Sequence, residues 1–301
     1  MTIQDRFRGC LLGLAVGDAV GTAVEFRSRG SFTPVDDMTG GGPSNLKPGQ
    51  WTDDTSMALC LAESLVLKRG FDPGDQMDRY VRWFRKGHLS STGACFDIGN
   101  ATSTALRHYE RTHEPFSGST DPRSAGNGSI MRLAPIPMFY YPDPEQAVFH
   151  AGESSRTTHG SRECVDACRL YSLMLVNTLG GKPKDRILCV PDTAIPGLSP
   201  KIEAIARCEY KDKPETGIRG SGYVVDSLEA ALWSFLMTGN FRDAILKAVN
   251  LGDDADTTAA VCGQIAGAYY GQSGIPPGWL AKLCMREEIT AFADQLMTEE
   301  R

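Results

Sequence analysis

Glycine recurs at every fourth position in two places along this chain: Gly9, Gly13, Gly17 and Gly21 near its start, and Gly263, Gly267 and Gly271 near its end. A glycine inside a helix costs about 1 kcal/mol against alanine, and the residues between these are good helix formers. The pattern therefore needs a compensating contact. A four-residue step follows one ridge of a helix surface, and a ridge without side chains lets another backbone approach closely. The spacing predicts two helices that cross tightly in the core. Asp18 and the helix lengths argue against membrane helix pairing, the other use of such ladders.

Helical periodicity extends over most of the remaining chain. In 56–70, Met57, Leu61 and Leu65 share a face and Gly70 is placed to end the helix. Similar patterns cover 77–86, 98–110, 145–153, 162–179, 201–208, 225–238, 241–249, 257–270 and 286–297. Long alternating runs rich in Val, Ile and Tyr are scarce. The expected fold is all-α, a single domain spanning 1–301, with long loops at 27–51, 111–129 and 180–200.

With 41% hydrophobic residues a chain of 301 can bury a sizeable core. The net charge of −6 argues against a nucleic-acid backbone or an anionic membrane as main partner. Nine cysteines, an odd number with no Cys-x-x-Cys, read as buried free thiols of a reducing cytosol, so a cytoplasmic location is expected. The start of the chain imitates a signal peptide, with Arg6 and Arg8 before an apolar run. Asp5 and Asp18 spoil the imitation. This segment reads as a mature helix, and no run is expected to reach the roughly 20 apolar residues that span a bilayer.

Acidic residues crowd two helix starts. In 51-WTDDTSMAL-59, Asp53 and Asp54 lie between Thr52 and Thr55; in 251-LGDDADTTAA-260, Asp253, Asp254 and Asp256 precede Thr257. One such residue per helix is explained by capping. Adjacent carboxylates exceed that need, and gathered together they would repel or take up protons unless a cation neutralised them. Carboxylate and hydroxyl oxygens are hard donors suited to Mg²⁺, Mn²⁺ or Ca²⁺, whereas the five histidines have no zinc-ligand spacing. Residue types alone leave capping and an oxygen-ligated metal site both open.

Six blocks in order, 8-RGCLLGLAVGDAVGTAVEF-26, 51-WTDDTSMAL-59, 92-TGACFDIGNAT-102, 126-GNGSIMRLAPIP-137, 158-THG-160 and 251-LGDDADTTAAVCGQIAGAYYG-271, resemble the ADP-ribosylglycohydrolase family. The likeness is greatest to its bacterial branch, the dinitrogenase reductase-activating glycohydrolases. It implies an orthogonal all-α fold with a dinuclear site for Mg²⁺ or Mn²⁺. By position, one ion would be held by Thr52, Asp53, Asp54 and Asp256, and the other by Asp254, Asp256 and Thr257. Asp253 stands where the motif often has glycine and is left out. Glu25 and Asp97 match the catalytic carboxylates, with Asp97 expected at the ribose and Glu25 expected to manage the water on the metal.

Gly99, Asn100, Gly126, Asn127, Gly128, Ser129 and His159 would line the ADP-ribose site. The Gly126–Ser129 stretch is a turn able to bring amides against phosphate. Arg132 reads equally as a phosphate partner or a surface charge. The resemblance implies hydrolysis of the N-glycosidic bond between ADP-ribose and a protein side chain, with arginine favoured. O-linked ADP-ribose, on serine or as O-acetyl-ADP-ribose, and a non-catalytic ADP-ribose-binding role are the alternatives. An ADP-ribosylated protein is the expected partner, with a PII-type regulator as a further one.

Overall fold

The computed structural model describes residues 1–297. Its helices are α1 (Ile3–Gly21), α2 (Asp53–Lys68), α3 (Pro73–Lys86), α4 (Asn100–Thr112), α5 (Pro135–Tyr140), α6 (Pro144–Arg156) and α7 (Arg162–Leu179). They continue as α8 (Lys184–Leu188), α9 (Pro200–Ala206), α10 (Val224–Leu236), α11 (Phe241–Val249), α12 (Ala255–Tyr270), α13 (Pro277–Lys282) and α14 (Arg286–Met297). A two-residue antiparallel ladder joins β1 (Arg27–Ser28) to β2 (Gly252–Asp253), pairing Arg27 with Asp253 and Ser28 with Gly252. The all-α expectation holds.

The glycine ladder is the centre of the molecule. Helices α1 and α12 run antiparallel with their backbones in contact. A Cβ built on Gly9 would meet the Gly267 carbonyl, and one on Gly13 the Gly263 carbonyl, each at under 3.0 Å. The reciprocal positions are equally closed, since Gly263 faces the Gly13 carbonyl and Gly267 that of Gly9. All residues of Gly9–Gly21 and Ala255–Ala268 are buried. Burial of both helices on every side explains why neither has a polar stripe.

Other elements clamp this pair. Arg8 makes a two-pronged ion pair with Asp294, tying α1 to α14 at 2.7 Å on each side. Arg6 donates to the Ala268 and Tyr269 carbonyls at the end of α12, where a cation complements the helix dipole. Gln264 donates to the Ile130 and Met131 carbonyls, anchoring the segment before α5.

Several boundaries differ from the sequence reading. The run Ile3–Val24 is long and apolar enough, by length and composition, to cross a bilayer, contrary to expectation; 89% of its most apolar window is packed inside the protein. The 180–200 loop contains α8. Helices α5 and α13 were not expected, because prolines crowd their first turns and each is only six residues long. Proline at the first helical position is in fact favourable, since no intrahelical partner awaits that N–H. All nine cysteines are free; six are buried as expected, Cys95 and Cys284 are part-buried, and Cys189 is exposed.

The ladder makes a direct prediction. Gly13→Ala should lower the unfolding free energy by about 3 kcal/mol or more, because backbone on both sides must move. Gly239→Ala, with open space around it, should change it by less than about 0.5 kcal/mol. Urea denaturation of the two variants checks this, and equal midpoints would refute the close-contact account.

Candidate active site

The antiparallel pairing places the end of α1 beside the start of α12. The chain leaving α1 reaches Glu25 within one short turn, and the Phe26 amide donates to the Asp253 carbonyl (2.7 Å). Asp253 has φ +57°, a left-handed conformation that glycine adopts freely and aspartate tolerates. Its side chain is exposed, so this residue shapes the ladder and supplies no ligand. Arg29 pins the ladder by donating to the carbonyls of Leu251 and Glu215.

The acid-rich helix starts do not use their side chains as caps. Thr2, Asp72, Asp143 and Asn240 cap α1, α3, α6 and α11 with side-chain hydrogen bonds. Thr52 and Asp254, at the same position of α2 and α12, make no such bond. Instead their carboxylates converge. Oxygens of Glu25, Asp97 and Asp256 lie within 4.8 Å of one another, as do those of Asp18, Asp54 and Asp256. The Thr52 hydroxyl sits 3.1 Å from Asp54 Oδ2 and 3.3 Å from Asp256 Oδ2.

Electrostatics are severe here. Burial, followed by mutual repulsion, pushes Asp53, Asp54 and Asp256 well above the usual carboxylate range. Glu25 is pushed up to about 9, first by burial and then by the charge of Asp97, with which it shares a hydrogen bond. Asp54 Oδ1 and Glu25 Oε2 are buried without a hydrogen-bond partner. Orphaned buried oxygens beside crowded carboxylates and hydroxyls are a donor set that fits hard divalent cations. Thr52, Asp53, Asp54, Asp254, Asp256 and Thr257 all contribute to this cluster or its edge.

The cluster opens into a cleft of about 1150 Å³. Glu25, Asp53, Asp97, Asp254, Asp256 and Thr257 form its floor, while Thr52 and Asp54 lie behind them. Asp97 has φ +55° and stands three residues before α4, so it is not a helix cap. Gly99 and Asn100 present the start of α4 to the cleft with no side chain capping it. Gly126, Asn127 and Gly128 also line the cleft. The Asn127 amide donates to Asp254 Oδ2 (2.8 Å) and so orients a floor carboxylate.

Two expected residues behave differently. The Ser129 hydroxyl is buried away from the cleft, accepting from Ser155 (2.9 Å) and Cys168. Arg132 is neither a phosphate partner nor a surface charge. It is fully buried, lies over the Tyr80 ring at 4.8 Å, and donates to the Gly128 carbonyl and the Thr158 hydroxyl. Sequence reasoning missed the outer wall, which includes Phe116, Ser119, Arg123, and Thr104, His108 and Arg111 of α4. The four-then-three spacing of those α4 residues was a visible polar stripe.

Arg132 also sets the state of His159. Thr158 Oγ1 accepts from Arg132 at 2.7 Å and lies 2.8 Å from His159 Nδ1; giving its proton to Nδ1 uses the hydroxyl in full and goes with the Nε2–H tautomer. In that tautomer the Nε2 proton lies on the side facing Gly126 and Gly128. A Cβ on Gly128 would come 2.7 Å from the His159 ring, so only glycine lets the turn sit this close.

The family model for ADP-ribosylglycohydrolase matches residues 1–301. The chain is 47% identical over 292 residues to ADP-ribosylarginine hydrolase Tri1 of Pseudomonas putida (strain GB-1), covering 97% of this chain and 78% of that protein. It is 34% identical over 310 residues to ADP-ribosyl-[dinitrogen reductase] glycohydrolase of Rhodospirillum rubrum, covering 98% and 97%. Among solved structures, an ADP-ribosylglycohydrolase-related protein complex superposes with a TM-score of 0.86 at 45% identity, covering 98% of both chains.

Burial first, and the Arg132 charge second, lower the His159 pKa to about 3. The unfolded chain therefore binds the extra proton between about pH 6.5 and 3. The contribution of this residue to stability is constant above that window and erodes as pH falls through it, by up to about 1.4 kcal/mol per pH unit. Imidazole ¹⁵N spectra should show His159 as the neutral Nε2–H form from pH 8 to 5. A charged ring at pH 6 would contradict the relay.

Proposed function

The chain belongs to the ADP-ribosylglycohydrolase family, and from that premise we propose that it hydrolyses the N-glycosidic bond joining ADP-ribose to arginine on a modified protein. The observation that carries this reading is the buried acid cluster at the starts of α2 and α12, whose Asp54 and Glu25 oxygens lack partners and which floors the cleft. The higher identity to a relative named for arginine than to the one named for dinitrogen reductase favours the arginine linkage without assigning a target protein.

Residues have distinct tasks in this reading. Thr52, Asp53, Asp54 and Asp256 would hold one divalent cation, Mg²⁺ or Mn²⁺; Asp254, Asp256 and Thr257 would hold a second. Bound there, the pair supplies Lewis-acid orientation of the vicinal ribose hydroxyls and makes water more acidic. Asp97 faces the anomeric carbon and accepts the proton of the attacking water, with Glu25 orienting that water. The C–N bond breaks through an oxocarbenium-like state. The departing guanidine nitrogen takes up one proton, balanced by the one that Asp97 removes from water, giving ADP-ribose and intact arginine.

The walls of the cleft bind the remainder of the substrate. The uncapped start of α4 at Gly99 and Asn100 offers amides to the diphosphate. The Gly126–Gly128 turn contributes backbone amides beside it, with His159 Nε2–H as a donor when Thr158 gives its proton to Nδ1. The Ser129 hydroxyl is committed to Ser155 and the residue does not line the cleft, so it is given no contact with substrate.

With Mn²⁺ or Mg²⁺, the protein should release free ADP-ribose from an ADP-ribosyl-arginine peptide, faster than from the serine-linked peptide, and EDTA should abolish release. Asp97→Asn should lower turnover by about 10²–10⁴-fold while leaving Mn²⁺ affinity intact. Product analysis by chromatography decides the matter. Turnover indifferent to EDTA would overturn the cation assignment, and AMP as product would overturn the reaction.

A further inference from the structure

Asp18 belongs to neither ligand set. Its side chain is completely buried in α1 and accepts four hydrogen bonds, all from the start of α2. Oδ1 receives the Thr52 amide and hydroxyl, each at 2.9 Å. Oδ2 receives the Thr55 amide at 3.1 Å and its hydroxyl at 2.6 Å. A carboxylate has about four lone-pair sites, so Asp18 is saturated by these donors. Although it lies within 4.8 Å of Asp54 and Asp256, it has no acceptor capacity left for a cation.

Thr55 is the third residue of α2, and its amide is one that the helix's own N-cap side chain ordinarily satisfies. Thr52 holds the N-cap position and makes no such bond. Asp18 therefore caps α2 from another helix. This changes what Thr52 can do. Its hydroxyl has one proton and three carboxylate oxygens nearby, on Asp18 (2.9 Å), Asp54 (3.1 Å) and Asp256 (3.3 Å). A proton committed to Asp18 leaves the oxygen lone pairs directed at the space shared by Asp54 and Asp256.

We propose that Asp18 is the positioning residue of the cation site: by capping α2 in place of Thr52, it turns the Thr52 hydroxyl into a ligand. The proposal rests on the cation reading given above. It also links the glycine ladder to the site, because Asp18 is carried between Gly17 and Gly21 on the helix locked against α12.

The test is Mn²⁺ affinity, measured by electron paramagnetic resonance or calorimetry on full-length wild type, Asp18→Asn, Thr52→Val and the double variant. Circular dichroism verifies the fold. Asn is isosteric but replaces two of the acceptor sites with donors. If Asp18→Asn is insoluble, Asp18→Ser is read in the same way. Each single change is expected to weaken Mn²⁺ binding about 10–100-fold. Since Asp18 acts through Thr52, the double variant should bind no more weakly than the weaker single one. Losses that multiply would overturn the proposal, as would a folded Asp18→Asn protein that binds like wild type. Wild type that binds no Mn²⁺ would remove the cation reading itself, and this proposal with it.

Discussion

The contact between the backbones of α1 and α12 governs the rest of this structure. It requires glycine on both surfaces, so neither helix can adjust by shifting a side chain. The reward is rigidity at one end of the pair. There the start of α12 and the chain leaving α1 carry Asp254, Asp256, Thr257 and Glu25 into one place with little freedom. Interiors packed this closely transmit position faithfully, and a polyvalent oxygen site depends on position.

Charge is managed around that frame by dividing labour among similar residues. Asp72, Asp143 and Asn240 serve as ordinary caps at other helices. Asp18 does that work for α2 and is fully hydrogen-bonded. Asp54 and Glu25 each keep a buried oxygen in reserve, beside crowding that burial makes worse. Asp253 contributes only backbone shape. The residues look interchangeable as letters, and their roles separate only when their donors are assigned.

This explains what the sequence made legible. Glycine spacing announced the central crossing because removal of Cβ atoms has few other uses in a helix. The two acidic helix starts announced their segments because they exceeded capping needs. The role of Asp18 was hidden, since it depends on amides 34 and 37 positions away. Arg132 was hidden too; nothing local says that an arginine between Met131 and Leu133 is enclosed by Tyr80 and Thr158. The left-handed backbone at Asp97 and the proline-initiated helices α5 and α13 likewise depend on tertiary context.

The pairing of α1 with α12 has a consequence for how the chain comes into being. Helix α1 is apolar over most of its length, and its cover lies some 250 residues downstream. Between the two, α1 waits with its backbone ridge uncovered, although Asp18 meets its donors on α2 far sooner. Contacts of such sequence separation form slowly and leave sticky surface exposed meanwhile. The core that gives the mature protein its rigidity therefore stays incomplete until residue 270 has been made.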